Sequence, residues 1–496
     1  MKQWNPLGIA SVAALLLCST AAQADLTAEQ VWQGWVDYYT AMGQQITAGA
    51  TDMQGDTLVV SDVTFASKAR PEGAVSAAIA EVRLKETGDG RVEITMSNDI
   101  PVVMSGKPAD GEAFEVKMAV TQSGLAMIAS GTPEDTTYDF TASEIGVAMN
   151  DMAVDGKAAP MSIDVKMKTA SGQSHMIRSG GVGIDSVFAA ETVDVAMKGS
   201  DPEKPDSTFD LTGSFQGLKG TSKGLIAEGT DMNDLAAALN AGTNFAGDFG
   251  YGAGTYQASF SGPEGAGNMN YTGQGGTLHF SMAKEGLAYG GSAGPAQMSV
   301  TVPTLPMPLD LSVGESAFDL KMPVAKADTP QPFSLLMKMA DLTLSDAIWD
   351  MFDPAKNLPR DPATLVIDAS GNATLKVDIF DPANAQSEQM PGEVNDATLS
   401  ELKLSAVGAE LTGSGAVTLD NAAMPPKPVG AVDLKLVGGN ALLDKIVAMG
   451  FLPADQAAGF RMMLGLFAVP AGEDTLTSKI EFKDDGGVYA NGQRIQ

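Results

Sequence analysis

The chain has 496 residues, with 61 acidic and 31 basic side chains, a formal net charge of −30 and a single cysteine. Such a negative field repels nucleic acid and anionic lipid head groups, because phosphate binding needs clustered Lys and Arg. The acids are spread along the chain, as on a solvated surface, so the charge indicates solubility and predicts no nucleic-acid partner.

The first 24 residues have the pattern of a secretory signal peptide. Lys2 gives a positive start, residues 7–17 are a short apolar stretch, and Ala22-Gln23-Ala24 supplies small residues for cleavage. We expect cleavage before Asp25, export to the periplasm, and no transmembrane span in the mature chain. The alternative is an N-terminal anchor, but the stretch is shorter than the ~20 residues of a spanning helix.

Cys18 lies inside this predicted signal peptide, so the mature chain would have no thiol. Disulfides, thiolate nucleophiles and Cys-ligated metals are then excluded. A lipoprotein acylated at Cys18 is the other interpretation, which the large preceding Leu17 disfavours because that processing needs a small residue there.

Period-two alternation of apolar residues dominates the mature chain and predicts half-buried strands. The fold class we expect is mainly β, with long curved antiparallel sheets of meanders and hairpins in two halves. Gly-rich pairs and triplets between the alternating runs predict hairpin turns. These turn segments are residues 88–90, 171–172, 213–214, 370–372, 413–415 and 485–487.

A few amphipathic helices are predicted to pack on or cap the sheets. In chain order they are residues 27–42, 231–239, a segment from Ser345 or Asp346 to Pro354, 440–449 and 455–467. Thr27 and Gln30 occupy capping-box positions of the first helix, which carries Trp32 and Trp35 on an aromatic face.

Two shifts in composition suggest boundaries between regions. Residues 242–294 are rich in Gly, Asn, Tyr and Ser, and a run of prolines follows them. We therefore expect an N-terminal β-rich domain over 25–225, a Gly/Pro-rich middle β segment over 226–330, and a C-terminal β-rich domain with helices over 331–496.

No motif predicts a catalytic residue, a metal site or a cofactor. His175 and His279 lie in strand patterns without matched partners, which favours single, satisfied or exposed histidines. Residues 290–294 match G-x-S-x-G, but no helix and no later histidine follow, so a Gly-Ser turn is preferred. Two S-x-x-K strings fall in strand patterns, and the acidic segments 151–156 and 484–485 do not complete a calcium loop. We expect a protein that is not an enzyme.

Methionine is abundant, at 27 residues, and often occupies the apolar strand positions, as at Met96, Met118, Met167 and Met197. Ordinary core packing is the simpler explanation. A deformable apolar groove for a lipid-like ligand is the alternative, because thioethers repack around varied shapes.

From residue 302 onward the sequence resembles a known family. Val-Pro-Thr-Leu-Pro-Met-Pro at 302–308, Leu-Lys-Met-Pro-Val at 320–324, Ala-Ile-Trp-Asp-Met-Phe-Asp-Pro at 347–354 and Leu-Pro-Arg-Asp-Pro at 358–362 are similar to an uncharacterised family of alphaproteobacterial envelope proteins, domain of unknown function 2125. Val-Trp-Gln-Gly-Trp at 31–35 also resembles it. The resemblance implies a periplasmic, β-rich protein and transfers no catalytic residue. A weaker analogy, at the level of fold, links the chain to AsmA-like envelope proteins.

The leading hypothesis is a non-enzymatic periplasmic protein whose curved sheet binds a lipid-like ligand or an envelope protein partner. Its candidate ligand-binding residues are the aromatic side chains of two helices: Trp32, Trp35, Trp349 and Phe352. The alternatives are an outer-membrane β-barrel, which the 6% aromatic content disfavours, and a secreted hydrolase with an acid pair that the sequence does not locate.

Overall fold

A computed structural model describes residues 25–67, 73–107, 111–201, 204–232, 234–384, 390–423 and 425–496. The predicted signal peptide, with Lys2 and Cys18, lies outside these residues. The described chain is mainly β, as predicted, and its strands form one antiparallel sheet with helices at its ends and edge.

The helices fall where the sequence pattern predicts them. They are α1 (Ala28–Ala41), α2 (Leu235–Asn240), α3 (Asp346–Phe352), α4 (Gly439–Ala448) and α5 (Ala454–Phe467), with a 3₁₀ turn at Pro382–Asn384. The predicted capping box of α1 is present, because Thr27 Oγ1 accepts from the Gln30 N–H and Gln30 Oε1 accepts from the Thr27 N–H. The second helix starts later than predicted, since Asp234 caps it by accepting from the Ala237 N–H.

The first part of the sheet contains thirteen strands within the described residues. They are β1 (Gln44–Thr47), β2 (Ala50–Gln54), β3 (Thr57–Ser67), β4 (Ala74–Glu86), β5 (Val92–Met96), β6 (Asp99–Gly106), β7 (Phe114–Ser123), β8 (Ala126–Thr132), β9 (Asp135–Val154), β10 (Lys157–Ala158), β11 (Met161–Ile177), β12 (Gly181–Ser200) and β13 (Thr208–Ala227).

The rest of the sheet continues without a break in pairing. Its strands are β14 (Asn244–Tyr251), β15 (Gly254–Gly262), β16 (Gly265–Gly273), β17 (Gly276–Ala283), β18 (Gly286–Ala293), β19 (Ala296–Thr301), β20 (Leu309–Val313), β21 (Glu315–Met322), β22 (Gln331–Leu344), β23 (Ala363–Leu375), β24 (Gly392–Ala406), β25 (Ala409–Asp420), β26 (Lys427–Val437), β27 (Val469–Gly472), β28 (Thr475–Phe482), β29 (Val488–Ala490) and β30 (Gln493–Arg494).

Long strands and pairs of short strands alternate along the sheet. Strands β5 and β6 share one row beside β4, β8 and β7 share the next, and β9, β11, β12 and β13 then run the full width. Paired short strands follow from β14 to β21, until β22 joins both halves again. Pairing crosses residues 225 and 330, and the proposed three-part division stays a prediction.

A transverse line crosses the strands at one level, and we call it the seam. In four full-width strands the residue at the seam has a left-handed backbone: Asp62 at φ 50°, Thr169 at φ 52°, Gly217 at φ 60° and Asp341 at φ 56°. In the rows of paired strands, the break between the two short strands falls at the same level, as at Gly314 between β20 and β21.

Each seam residue shifts the alternation of side chains by one position. Side chains alternate across a strand, so a residue with a left-handed backbone inside the strand moves the apolar set to the other parity, and the register of β3 with β4 is unchanged across it. In β3 the core residues are Leu58 and Val60 before Asp62, and Val63 and Phe65 after it. Apolar side chains therefore stay on one side of the sheet along the whole length of the strand.

Several predicted turns are in fact inside long strands. Residues 171–172 lie in β11, 213–214 in β13, 370–372 in β23 and 413–415 in β25, whereas 88–90 and 485–487 are turns as predicted. These strand glycines accommodate large neighbours. A Cβ at Gly172 would lie 2.5 Å from a ring carbon of Phe140, and one at Gly371 would lie 2.7 Å from Phe333. Close approach of a side chain from the next strand, and not a turn, explains glycine there.

Candidate functional site: an apolar trough

One side of the sheet carries a continuous row of apolar side chains and glycines, because paired residues of neighbouring strands share a face. The row runs from β3 to β26 through the successive partners Leu58, Leu84, Ile94, Met127, Phe140, Gly172, Phe188, Gly220, Phe249, Leu278, Gly291, Phe318, Met337, Ile367, Leu402, Gly413 and Leu434. At the ~4.8 Å spacing of strands the row is roughly 75 Å long. We call it the first wall.

A second row lies on the same side, across the seam from the first. It runs from β3 to β20 through Phe65, Ala77, Val102, Met118, Met149, Ile163, Met197, Leu211, Ala258, Met269, Val300 and Leu309. We call it the second wall, and the two walls together the trough. The second wall ends at β20. Helix α3 follows β22, which ends at Leu344 just past the seam, and α4 and α5 follow β26.

The opposite side of the sheet is polar and charged. Cross-strand ion pairs lie there, including Lys168 to Asp194 at 2.7 Å, Lys198 to Asp210 at 2.8 Å and Lys223 to Asp185 at 3.2 Å. The hydrogen bond and charge of Lys168 hold the pKa of the Asp194 carboxyl below its ordinary value. One side is therefore built to face water, and the trough side is built from hydrocarbon and thioether groups.

Helix α1 closes the N-terminal end of the trough. Val31 packs into a core with Leu58, Leu84 and Ile94, and the Glu86 carboxylate accepts from the Ala28 N–H at 3.0 Å, which ties the start of the helix to β4. Val31, Leu84 and Ile94 are almost entirely buried. The first strands and α1 thus enclose a hydrophobic core from which solvent is excluded, and we call it the dry core.

A cavity of about 590 Å³ lies just beyond this dry core, between α1 and both walls. Residues from α1, the first wall and the second wall all line it, among them Trp35, Tyr39, Phe65, Val102, Met127, Phe140 and Met176. Burial raises the pKa of the Tyr38 and Tyr39 hydroxyls that line it. Because both walls line one cavity, the sheet folds about the seam and its two halves face each other at this end.

Beyond the cavity, the trough opens to solvent. Leu278 is 45% exposed, Phe318 37% and Met337 42%, although they continue the row whose first members Leu84 and Ile94 are 0% exposed. Soluble monomers rarely leave such long apolar surfaces uncovered unless they bind something there.

The four aromatic residues predicted to bind a ligand lie in two separate places. Trp35 lines the cavity, and Trp32 packs against the dry core with its ring centroid 6.4 Å from that of Trp35. Trp349 and Phe352 lie on α3, with ring centroids 5.0 Å apart, far along the sheet from α1. Their role in ligand binding stays a prediction.

The α3 segment is held together by Asp346, Asn357 and residues of the strings at 347–354 and 358–362. The Arg360 guanidinium binds the carboxylates of Asp346 and Asp350 and lies 5.9 Å from the centre of the Trp349 ring. Asp353 is 1% exposed and accepts from the Leu358 N–H at 2.7 Å and the Asn357 N–H at 2.9 Å. Burial acts to raise the pKa of Asp353, but these hydrogen bonds outweigh it and hold the pKa below its usual value. The residues of these strings therefore stabilise α3 and the loop that follows it.

The other motifs lie on the polar side or in loops. His175 pairs with Asp135, and His279 pairs with Asp319 at 2.8 Å. Ser292 of the G-x-S-x-G string lies within β18, not in the predicted turn, and its hydroxyl hydrogen-bonds the Thr277 hydroxyl at 2.9 Å.

Within the described ranges, three or more His, Cys, Asp or Glu side chains nowhere converge as a metal site. In the same part of the chain, every helix is too short or too polar to cross a membrane.

The strands and walls define a class: a mainly β protein built on one long antiparallel sheet with an apolar trough on one side. Residues 255–495 match the family model described as an uncharacterized protein conserved in bacteria, DUF2125. Over those residues the chain is similar to this family, and the resemblance is confirmed there. The string at 31–35 lies outside the match. Neither the curated proteins nor the solved structures contain a match to this chain.

Of the residues that form the two walls, the sequence singled out Met118 and Met197 but none of the phenylalanines of the first wall. Phe140, Phe188, Phe249 and Phe318 each occupy an alternating strand position, like many core residues. A signal was present in retrospect: in the first wall the partners of Phe140 and Phe188 on the next strands are Gly172 and Gly220. Only the strand register brings such distant positions together.

Proposed function

We propose that the protein is exported to the periplasm and binds a lipid-like ligand in the trough, without catalysing a reaction. The observation that carries the proposal is the first wall, whose apolar residues continue beyond the part of the trough that α1 covers. Burying apolar surface gains ~25 cal/mol per Å², so a hydrocarbon chain laid along Leu278, Phe318 and Met337 would be stabilised by the contact.

The dimensions of the trough suit extended hydrocarbon chains. Its length of roughly 75 Å is more than twice the ~30 Å hydrocarbon thickness of a bilayer. The methionines of the second wall, such as Met118, Met149 and Met197, adapt to chains of different shape because the thioether side chain is flexible and polarizable. The wall residues are hydrocarbon, thioether and glycine, groups that perform no acid–base chemistry.

The direct test compares one change inside the trough with a matched change outside. Leu278 faces the trough and is 45% exposed, whereas Val187 lies on the polar side and is 51% exposed. Protein purified from the periplasmic fraction is extracted with organic solvent for mass spectrometry, and its affinity for a fluorescent fatty acid is measured by titration.

We expect co-purified lipid in the wild type, and affinity for the fatty acid at least fivefold weaker in Leu278→Glu. Val187→Glu should bind as the wild type does, since its carboxylate projects into water. Wild-type protein that is free of lipid and does not bind the probe would contradict the proposal, as would equal losses in the two variants.

A further inference from the structure

The helical hairpin formed by α4 and α5 exposes a concentrated apolar surface. Met462 is 70% exposed and Leu466 56%, and Phe451, Phe460, Met463 and Phe467 are also exposed. On the last two turns of α5 the large apolar side chains cover an arc of roughly 200° at 100° per residue. Packing α5 on the sheet does not require so large an exposed apolar surface.

The hairpin is anchored firmly at its base, so that its exposed face is a feature of the fold. The Asp474 carboxylate accepts from the Asn440 and Ala441 N–H groups at 3.0 and 2.9 Å and so caps the start of α4. At the other end the Phe467 carbonyl accepts from the Ser478 hydroxyl and from the Asn491 amide at 2.9 Å. Arg461 of α5 binds Asp444 of α4, which joins the two helices.

Charge distinguishes this region from the rest of the chain. The hairpin holds two acids, Asp444 and Asp455, and two bases, Lys445 and Arg461, so it is formally neutral in a chain of net charge −30. A neutral apolar surface suits a zwitterionic phospholipid bilayer, whereas an anionic bilayer would repel the surrounding protein.

The size of the exposed patch also favours a bilayer over a second copy of the chain. Six side chains of ~150–250 Å² each, about half exposed, present on the order of 600 Å². A stable protein interface buries about 800 Å² on each partner, and two copies would bring together two strongly acidic chains. Shallow insertion of apolar side chains into a bilayer surface has no such area requirement.

We propose that the α4–α5 hairpin docks the protein on a zwitterionic phospholipid bilayer, with the apolar face of α5 inserted at the head-group boundary. The hairpin lies at the far end of the sheet from α1, so docking there presents the open end of the trough to the bilayer. Bilayer docking does not require the trough to bind lipid, and the two proposals fail separately.

The test is co-sedimentation with phosphatidylcholine–phosphatidylethanolamine vesicles. The test variant is Met462→Gln/Met463→Gln/Leu466→Gln, which keeps good helix formers in α5. The matched control is Met53→Gln/Met390→Gln, which removes two exposed methionines elsewhere on the surface. Circular dichroism checks that both variants fold as the wild type does.

We expect the wild type and the control to sediment with the vesicles, and the triple variant to partition at least tenfold less. Added anionic phosphatidylglycerol should weaken wild-type binding at low salt. If the wild type stays in the supernatant, or if the triple variant sediments equally well, the proposal is wrong. It is also wrong if light scattering shows a wild-type dimer that the triple variant converts to monomer, since the hairpin would then bind a second copy.

A second readout covers a variant that fails to fold. A Met462→Cys substitution in a Cys18→Ser background gives one thiol for an environment-sensitive dye, because Cys18 is the only native cysteine. We expect a blue shift of the dye when vesicles are added, and none for the same dye at Ser171→Cys on the polar side. No shift at position 462 overturns the proposal.

Discussion

The two ends of the trough share one apolar row but differ in what covers it. At the N-terminal end, α1 lies over Leu84 and Ile94, which are fully buried. Further along the same row, Leu278 and Met337 have similar apolar chemistry and remain open to solvent. Burial explains the apolar residues at the first end as a core. The partly exposed residues at the second end gain less from folding, which is why they are the better guide to function.

The largest expected difference between the ends is in stability. Leu84→Ala should lower the free energy of unfolding by about 2–5 kcal/mol, since it leaves a cavity in a closed core. Leu278→Ala should cost less than about 1 kcal/mol, because the residue already contacts solvent. Urea denaturation of both variants, followed by circular dichroism, measures the difference. Equal losses would mean that Leu278 is covered in solution and that the trough is filled by the protein itself.

Glycine-to-alanine substitutions in the strands at the two ends should lower the free energy of unfolding by similar amounts. The covering helix α1 would then be the difference between the ends. A Cβ at Gly172 would lie 2.7 Å from the Val187 carbonyl oxygen, and one at Gly291 would lie 2.5 Å from the Thr277 carbonyl oxygen. Both Gly172→Ala and Gly291→Ala should therefore cost about 1–3 kcal/mol in urea denaturation, through forced shifts of the backbone.

Gly459 provides the control for this pair. It lies in α5, where a new Cβ has no heavy atom within 4 Å. Gly459→Ala should stabilise the protein by up to about 1 kcal/mol, as alanine is the better helix former. A mild effect at Gly291 together with a large effect at Gly172 would show that the sheet itself is looser at the open end.

Sequence patterns predicted the elements better than their arrangement. The alternation gave the β class, and capping residues such as Thr27 located α1 well, because both signals are local. Gly172 and Gly413 were assigned to turns, since glycine's local meaning is a turn and its partners Phe140 and Leu434 lie far away in the chain. An apolar groove was predicted only as the alternative explanation for the many methionines at strand positions. Whether an apolar strand face is covered depends on tertiary contacts, which periodicity does not contain.

The smallest expected effect is a local change around α3, at the open end of the trough, when the pH is lowered. Hydrogen bonds from the Leu358 and Asn357 N–H groups more than offset burial and keep the pKa of Asp353 below its ordinary value. A carboxyl with a lowered folded pKa stabilises the protein fully above its unfolded pKa of ~3.9, and the contribution is lost as the pH falls through the folded value. We expect the emission of Trp349, followed in a Trp4→Phe/Trp32→Phe/Trp35→Phe background that leaves it as the one tryptophan, to shift to the red as the pH falls below about 4.

Asp353→Asn should shift the Trp349 emission already at neutral pH and remove this acid transition, because an amide nitrogen does not accept from the Leu358 N–H. Asp89 supplies the control: mainly through the hydrogen bond from Arg91, its pKa lies at about 2, yet it is exposed in a turn near the α1 end. Asp89→Asn should leave the Trp349 transition unchanged. A transition that moves equally with either substitution would mean that acid loosens the whole sheet, and the two ends of the trough would then share one stability.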